Sequence, residues 1–108
     1  MIALEASYAD LVEHLAQHFH TRDLRLDSAL QWLTAELGEA MEVRLLMQGL
    51  NPRKGFQGDM EDLAAELADV VIMALIAMRM TGCDVQDTLS KHVAKMLGRL
   101  EEQGNAYV

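Results

Sequence analysis

The chain has 108 residues, of which 51% are hydrophobic and 5% aromatic, and a formal net charge of −8 at pH 7. This length fits one domain with one modest core, and the negative charge argues against a nucleic-acid polymer or an anionic membrane surface as a partner. Cys83 is the single cysteine, and the first residues lack the basic region and apolar run of a signal peptide. We therefore expect a reducing, cytoplasmic environment.

The first half of the chain predicts two helices and a loop. Leu, Ala and Met are abundant, which favours helix because their side chains lose little rotamer freedom there. Apolar residues recur every three or four positions over about residues 4–20. A second helix is predicted to start at a cap formed by Asp27 or Ser28 and to end at Gly49. Residues 49–58 hold three glycines and the only proline, which indicates a loop.

The second half of the chain predicts two further helices. Asp59 is placed to cap a third helix that extends to about Thr81, and Asp84 to cap a fourth that runs to about residue 103. Helices joined by short connections predict an all-α, antiparallel four-helix bundle. No linker or repeat divides the chain, so we expect a single domain over residues 1–108.

Residues 63–80 are apolar enough to raise the question of a membrane span. Glu66, Asp69 and Arg79 interrupt this run, and each charge would cost about 2.5 to 3.5 kcal/mol at the bilayer centre, so we predict no span. A helix that is apolar nearly all the way round needs neighbours on every side. We expect a homodimer or homotetramer, in which a second copy supplies this cover.

Two acidic pairs carry the chemistry that the sequence predicts. Glu36 and Glu39 are three residues apart on the second helix, and Glu66 and Asp69 repeat this spacing on the third, so each pair shares one helix face. Antiparallel packing of the two helices would bring four carboxylates together. Such a group repels itself unless a divalent cation neutralises it.

Oxygen ligands alone favour magnesium, manganese or calcium over zinc. Magnesium commonly bridges carboxylates to substrate phosphates, which points to phosphate chemistry. The competing interpretation is that both pairs lie on solvated helix faces. It fits Glu66 and Asp69 less well, because residues 70–78 contain no polar side chain.

These motifs resemble the MazG-like all-α nucleoside triphosphate pyrophosphohydrolases, whose mark is ExxE on one helix and ExxD on the next. Here they read ELGE at residues 36–39 and ELAD at residues 66–69. The NPRKG segment at residues 51–55 is similar to the loop of short bacterial members. The resemblance covers about residues 25–100.

The resemblance implies that Glu36, Glu39, Glu66 and Asp69 are Mg²⁺ ligands, with Mn²⁺ as a possible substitute. It also implies hydrolysis of (deoxy)nucleoside triphosphates to monophosphate and pyrophosphate, with Glu39 accepting the proton of the attacking water. House-cleaning of non-standard or excess dNTPs is the expected role. Many members carry a further glutamate where this chain has Ala35 and Ala65, so the number of metal ions stays open.

Substrate contacts are predicted from three further regions. Family members often contact phosphates with a Lys, Asn and Arg series on the last helix. The nearest equivalents here are Lys91, Lys95 and Arg99, without the Asn. The cations of the loop, Arg53 and Lys54, are predicted to close over phosphates or, equally, to lie in solvent. Trp32, one turn before the first acidic pair, either stacks on a base or packs in a core or interface.

Two other functions are compatible with the sequence. A non-catalytic helical interaction module would use its acidic pairs against basic residues of a partner, and it would show no magnesium dependence. A related enzyme, the phosphoribosyl-ATP pyrophosphohydrolase of histidine synthesis, shares the architecture and differs in substrate.

Overall fold

The computed structural model describes residues 6–21 and 26–102, which form four helices and the connections between the last three. These are α1 (Ala6–Thr21), α2 (Leu26–Met47), α3 (Met60–Met80) and α4 (Val85–Glu102), and the described residues contain no strand. The predicted all-α class and the order of its helices are confirmed. The first two residues of the predicted α1, 4 and 5, lie outside the described part of the chain.

Helix α2 starts two or three residues earlier than a cap at Asp27 or Ser28 predicts, and it ends in a left-handed turn. Asp27 lies in its first turn, where a negative charge stabilises the helix N-terminus, and so it does not precede the helix as a cap. At the other end Gly49 has a φ of 67°, and Leu50 N–H donates to the Leu45 carbonyl at 3.1 Å. Together with the Gly49 N–H to Leu46 carbonyl bond, this is a Schellman motif.

The loop between α2 and α3 is folded back on the end of α2. The Asn51 side chain accepts hydrogen bonds from the backbone N–H groups of Arg53 and Lys54, at 3.0 and 3.3 Å. Gln57 N–H donates to the Leu46 carbonyl at 2.9 Å. The Phe56 ring lies so close to Gly49 that a Cβ atom there would be 2.7 Å from it. The direction of the two loop cations is therefore set by local bonds.

Helices α3 and α4 begin at the predicted caps. Asp59 accepts from the backbone N–H of Asp62 and donates its own N–H to the Asp62 carboxylate, both at 2.9 Å, which completes a capping box. Asp84 accepts from the Asp87 N–H at 2.8 Å at the start of α4. Thr81 caps the end of α3.

Helix α3 is the centre of the protomer. It packs most extensively on α2, less on α1 and only slightly on α4. Its buried residues meet those of α1 and α2 in one apolar cluster, formed by Ala16, Ala29, Met73, Ile76 and Ala77. Small residues on α1 and α2 let these helices approach α3 closely. Both acidic pairs therefore lie on the α2–α3 hairpin, the most extensively packed pair of helices in the protomer.

Helix α4 leaves the bundle incomplete. Among the described helices its backbone lies close to α3 alone, and it has no fully buried residue. The Cα radius of gyration is 17.0 Å, whereas a compact chain of this length has about 13 Å. Among the described residues no helix combines the length and the apolarity that a membrane crossing requires.

Candidate metal centre

The first acidic pair projects from the middle of α2. Glu36 and Glu39 lie one helical turn apart, and the neighbouring Ala40 is buried, so this part of α2 lies against the rest of the fold. Glu36 is half-buried, while Glu39 is exposed. The pair is therefore anchored at the helix interface at one end and open to solvent at the other.

The second acidic pair lies in the N-terminal half of α3. Glu66 is half-buried, and its Oε2 atom is buried without a hydrogen-bond partner in the described part of the chain. A buried polar atom normally has a partner, because burying it unpaired costs roughly 1 to 3 kcal/mol. Asp69, one turn further along α3, is exposed. The orphaned oxygen is the feature that a bound cation would satisfy.

The hairpin brings three of the four predicted metal ligands together. Carboxylate oxygens of Glu36, Glu39 and Glu66 all lie within 4.8 Å of one another. Asp69 is not part of this group of three, but its charge acts on Glu36. Two helices thus contribute to one concentration of negative charge.

This concentration of charge alters the titration of Glu36. Burial is the largest cause that raises its pKa, followed by the charges of Glu39 and Asp69, a hydrogen bond with Glu39, and the charge of Glu66. The raised pKa means that the ionised form of Glu36 is disfavoured where it stands. A hard divalent cation would reverse this, since it favours ionised oxygen ligands.

The segment of the chain that contains this centre matches a known domain. A family model described as the MazG nucleotide pyrophosphohydrolase domain aligns with residues 25–103. The chain belongs to the MazG family. The resemblance inferred from the two acidic motifs is confirmed, and the MazG match includes both motifs, the loop between them and α4. Comparisons with curated proteins and with solved structures found no match.

The loop cations lie beside Glu42, one turn beyond the acidic pair of α2. Arg53 and Lys54 line an open cleft of about 750 Å³, together with Glu42 and apolar side chains of the end of α2. Lys54 Nζ is 3.9 Å from Glu42 Oε1. Glu42 lies one turn beyond Glu39 on α2, so this cleft of the MazG domain lies next to the acidic pair along the helix.

The other predicted substrate contacts are less closely grouped. Trp32 is 53% exposed on α2, one turn before Glu36. Lys91, Lys95 and Arg99 are exposed on α4, and α4 does not contact α2 within the protomer. One protomer therefore does not bring the α4 cations to the acidic group.

Sequence reasoning missed two contacts that shape the site and its surroundings. The hydrogen bonds that the Asn51 side chain accepts within the loop are indicated in the sequence by the Asn-Pro dipeptide, which is typical of turns. The paired hydrogen bonds of Arg79 to Glu13, at 2.6 and 3.1 Å, join α3 to α1. They connect residues 66 positions apart, and no local pattern indicates them.

Proposed function

We propose that this chain is a magnesium-dependent nucleoside triphosphate pyrophosphohydrolase, in which Glu36, Glu39, Glu66 and Asp69 hold the metal. The observation that carries this proposal is the group of three carboxylates in a MazG domain, one of them with a buried oxygen that lacks a partner. The reaction converts a nucleoside or deoxynucleoside triphosphate to the monophosphate and pyrophosphate.

The carboxylate set fits magnesium, with manganese as a substitute. All of the candidate ligands are oxygens, and Mg²⁺ is usually held by a few carboxylates together with waters and substrate phosphates. When bound, the metal supplies neutralisation of phosphate charge and lowers the pKa of a coordinated water.

The side chains around the metal ligands have separate roles in this reaction. Glu39 is the exposed member of the group, and it accepts the proton of the water that attacks phosphorus. Arg53 and Lys54 bind phosphate oxygens from the loop, where Arg53 offers a fork and Lys54 a point charge. Trp32 stacks on the base of the nucleotide.

We also propose that the enzyme works as a homodimer or homotetramer in the cytoplasm and removes non-standard or excess dNTPs. Thirteen large hydrophobic side chains are exposed in the described part of the protomer, which fits assembly. The single cysteine fits a reducing compartment.

The decisive experiment is pyrophosphate release from a panel of canonical and damaged dNTPs and NTPs, with phosphoribosyl-ATP included. Each substrate is tested with Mg²⁺, with Mn²⁺ and with chelator. We expect release with either metal and none with chelator. Release from phosphoribosyl-ATP alone would assign the enzyme of histidine synthesis instead, and silence over the whole panel would favour a non-catalytic interaction module.

Conservative variants test the assignment of the carboxylates. Glu39→Gln and Asp69→Asn are expected to lower kcat by about 100-fold or more, because they remove a proton acceptor or a ligand charge. Asp10→Asn makes the same chemical change on the exposed surface of α1 and should leave kcat unchanged. Unaltered turnover in both site variants, with helicity retained by circular dichroism, would refute the assigned site.

A further inference from the structure

The two cations of the loop between α2 and α3 have different surroundings. Lys54 Nζ lies 3.9 Å from Glu42 Oε1, and the side chains are 51% exposed for Lys54 and 63% exposed for Glu42. Arg53, the neighbouring cation, forms no ion pair with the part of the chain that the structure describes. One loop cation is therefore engaged by a carboxylate before any phosphate arrives, and the other is not.

The backbone position of Lys54 does not depend on this ion pair. Its N–H group donates to the Asn51 carbonyl at 3.2 Å and to the Asn51 side chain at 3.3 Å. The Gln57 side chain donates to the Lys54 carbonyl at 3.0 Å. Loss of the Glu42 carboxylate would therefore leave the loop in place and release only the Lys54 ammonium group.

The exposed pair of Glu42 and Lys54 is weak enough to be exchanged. Ion pairs of this kind contribute little, because water screens both charges and two long side chains have to be ordered. A phosphate group presents several charged oxygens to the same ammonium group and forms stronger, charge-assisted hydrogen bonds with it. Lys54 can therefore pass from Glu42 to a phosphate that enters the cleft, and return when the phosphate departs.

Under the proposed function, this cleft lies at the end of the site where the terminal phosphates are bound. Trp32 is one turn before Glu36, and Glu42 is one turn beyond Glu39, so Trp32 and Glu42 are about 15 Å apart along α2. With the base on Trp32 and the metal at the acidic pair, the β- and γ-phosphates extend toward the loop. These two phosphates leave together as pyrophosphate, so Lys54 contacts the leaving group.

We propose that Glu42 promotes release of the pyrophosphate product. Its carboxylate competes with the phosphate oxygens for the Lys54 ammonium group, which lies within reach of both. Glu42 therefore weakens the binding of the terminal phosphates and speeds the departure of pyrophosphate. This inference rests on the proposed function, because it gives a role in that reaction to a carboxylate that neither holds the metal nor accepts a proton.

Binding of inorganic pyrophosphate to Glu42→Gln measures this competition directly. Calorimetric titration in the presence of Mg²⁺ should give a dissociation constant about two- to fivefold below that of wild type, the range expected when an exposed ion pair no longer competes. Asp10→Asn removes one charge from the exposed surface of α1 and should leave the constant unchanged. Weaker, unaltered or undetectable binding by Glu42→Gln would overturn the proposal, and weaker binding would mean that Glu42 positions the loop.

The second loop cation supplies a matched control. If Glu42 acts through Lys54, Glu42→Gln should not alter the affinity for pyrophosphate once Lys54→Gln is present, because there is no ammonium group left to compete for. Beside Arg53→Gln the same change should keep its full effect. Equal effects in the two backgrounds would show that the Glu42 charge repels phosphate independently of Lys54, which contradicts the proposed competition.

Steady-state kinetics separate product release from the chemical step. Glu42→Gln should lower the KM of the triphosphate and the inhibition constant of pyrophosphate by the same factor, without a rise in kcat. A fall in kcat of about 100-fold or more would place Glu42 among the metal ligands or proton acceptors and refute its role in release. A wild type that is inactive on every nucleotide would refute the proposed function, while the calorimetric comparison would still decide whether Glu42 and Lys54 are coupled.

Discussion

At the scale of single residues, the pKa values of two glutamates on helical surfaces are shifted in opposite directions. Hydrogen bonds from Arg79 and Gln17 lower the pKa of Glu13, with Arg79 the larger cause. Burial and the neighbouring carboxylates raise the pKa of Glu36. Glu13 has a partner of opposite charge, Arg79, whereas the charged neighbours of Glu36 are carboxylates. The charged form of Glu13 therefore stabilises the fold, whereas the surroundings of Glu36 disfavour its charged form.

Removal of the Glu36 charge should stabilise the metal-free protein. Glu36→Gln keeps a polar side chain beside Glu39 but ends the repulsion among the carboxylates, so we expect a higher melting temperature without divalent cations. The rise in melting temperature on addition of Mg²⁺ should shrink, since a ligand of the folded state is lost. Calorimetry with Mg²⁺ and with chelator measures both effects. A full magnesium response in this variant would show that Glu36 is not a ligand.

The ion pair between Glu13 and Arg79 predicts a pH dependence of stability. Because the folded-state pKa of Glu13 lies below its unfolded value, the pair stabilises the fold above the unfolded pKa, and this contribution is lost as pH falls through the folded one. Wild type should therefore have a higher melting temperature than Glu13→Gln at neutral pH. The difference should shrink as pH falls below the unfolded glutamate pKa of about 4.3 and vanish once pH is below the folded pKa. Glu101→Gln on α4 is the control. A difference that is constant with pH would contradict the ionic origin.

At the scale of helices, local signals predicted the ends of α3 and α4 because capping is a local event. Asp59 and Asp84 accept the backbone hydrogen bonds expected of them. The start of α2 was predicted two or three residues late, because an acidic residue such as Asp27 also stabilises the helix N-terminus from within the first turn. The three-residue spacing within each acidic pair, Glu36 with Glu39 and Glu66 with Asp69, predicted the acidic group. The place of α4 was not predictable, because its apolar side has the same pattern whether its partner is α3 or another chain.

The capping box of α3 should have a measurable effect on stability. Asp59→Ala removes the acceptor for the Asp62 N–H and should lower the free energy of unfolding by about 0.5 to 2 kcal/mol. Asp59→Asn retains an acceptor oxygen and should recover most of this loss. Urea denaturation followed by circular dichroism measures both variants. Equal stability of the alanine variant and wild type would mean that α3 is held by packing alone.

At the scale of the whole molecule, the protomer is more extended than a compact chain of its length. Its exposed side chains include Leu37, Met41, Leu67 and Leu97, which lie on three different helices. Composition predicts a small core but does not indicate which apolar residues belong to it and which to an interface. That distinction depends on the tertiary packing of α4.

Assembly should be sensitive to one charge on the apolar side of α4, which is formed by Leu89, Val93, Met96, Leu97 and Leu100. Leu97→Glu places a carboxylate on an apolar contact, and we expect the subunit dissociation constant to rise at least about tenfold. Ala94→Glu adds the same charge on the far side of α4 and should leave assembly intact. Sedimentation velocity over a range of concentrations, with helicity as a check on folding, measures this. An unchanged association constant for Leu97→Glu would exclude the apolar side of α4 from the interface.

The contact between the Phe56 ring and Gly49 has a consequence for substrate capture. This contact and the Asn51 hydrogen bonds order the loop before any nucleotide arrives. The conformational entropy of the loop is therefore lost during folding, and under the proposed function it would not be subtracted again from the free energy of phosphate binding. If Arg53 and Lys54 bind phosphate as proposed, only their side chains have to be ordered on binding.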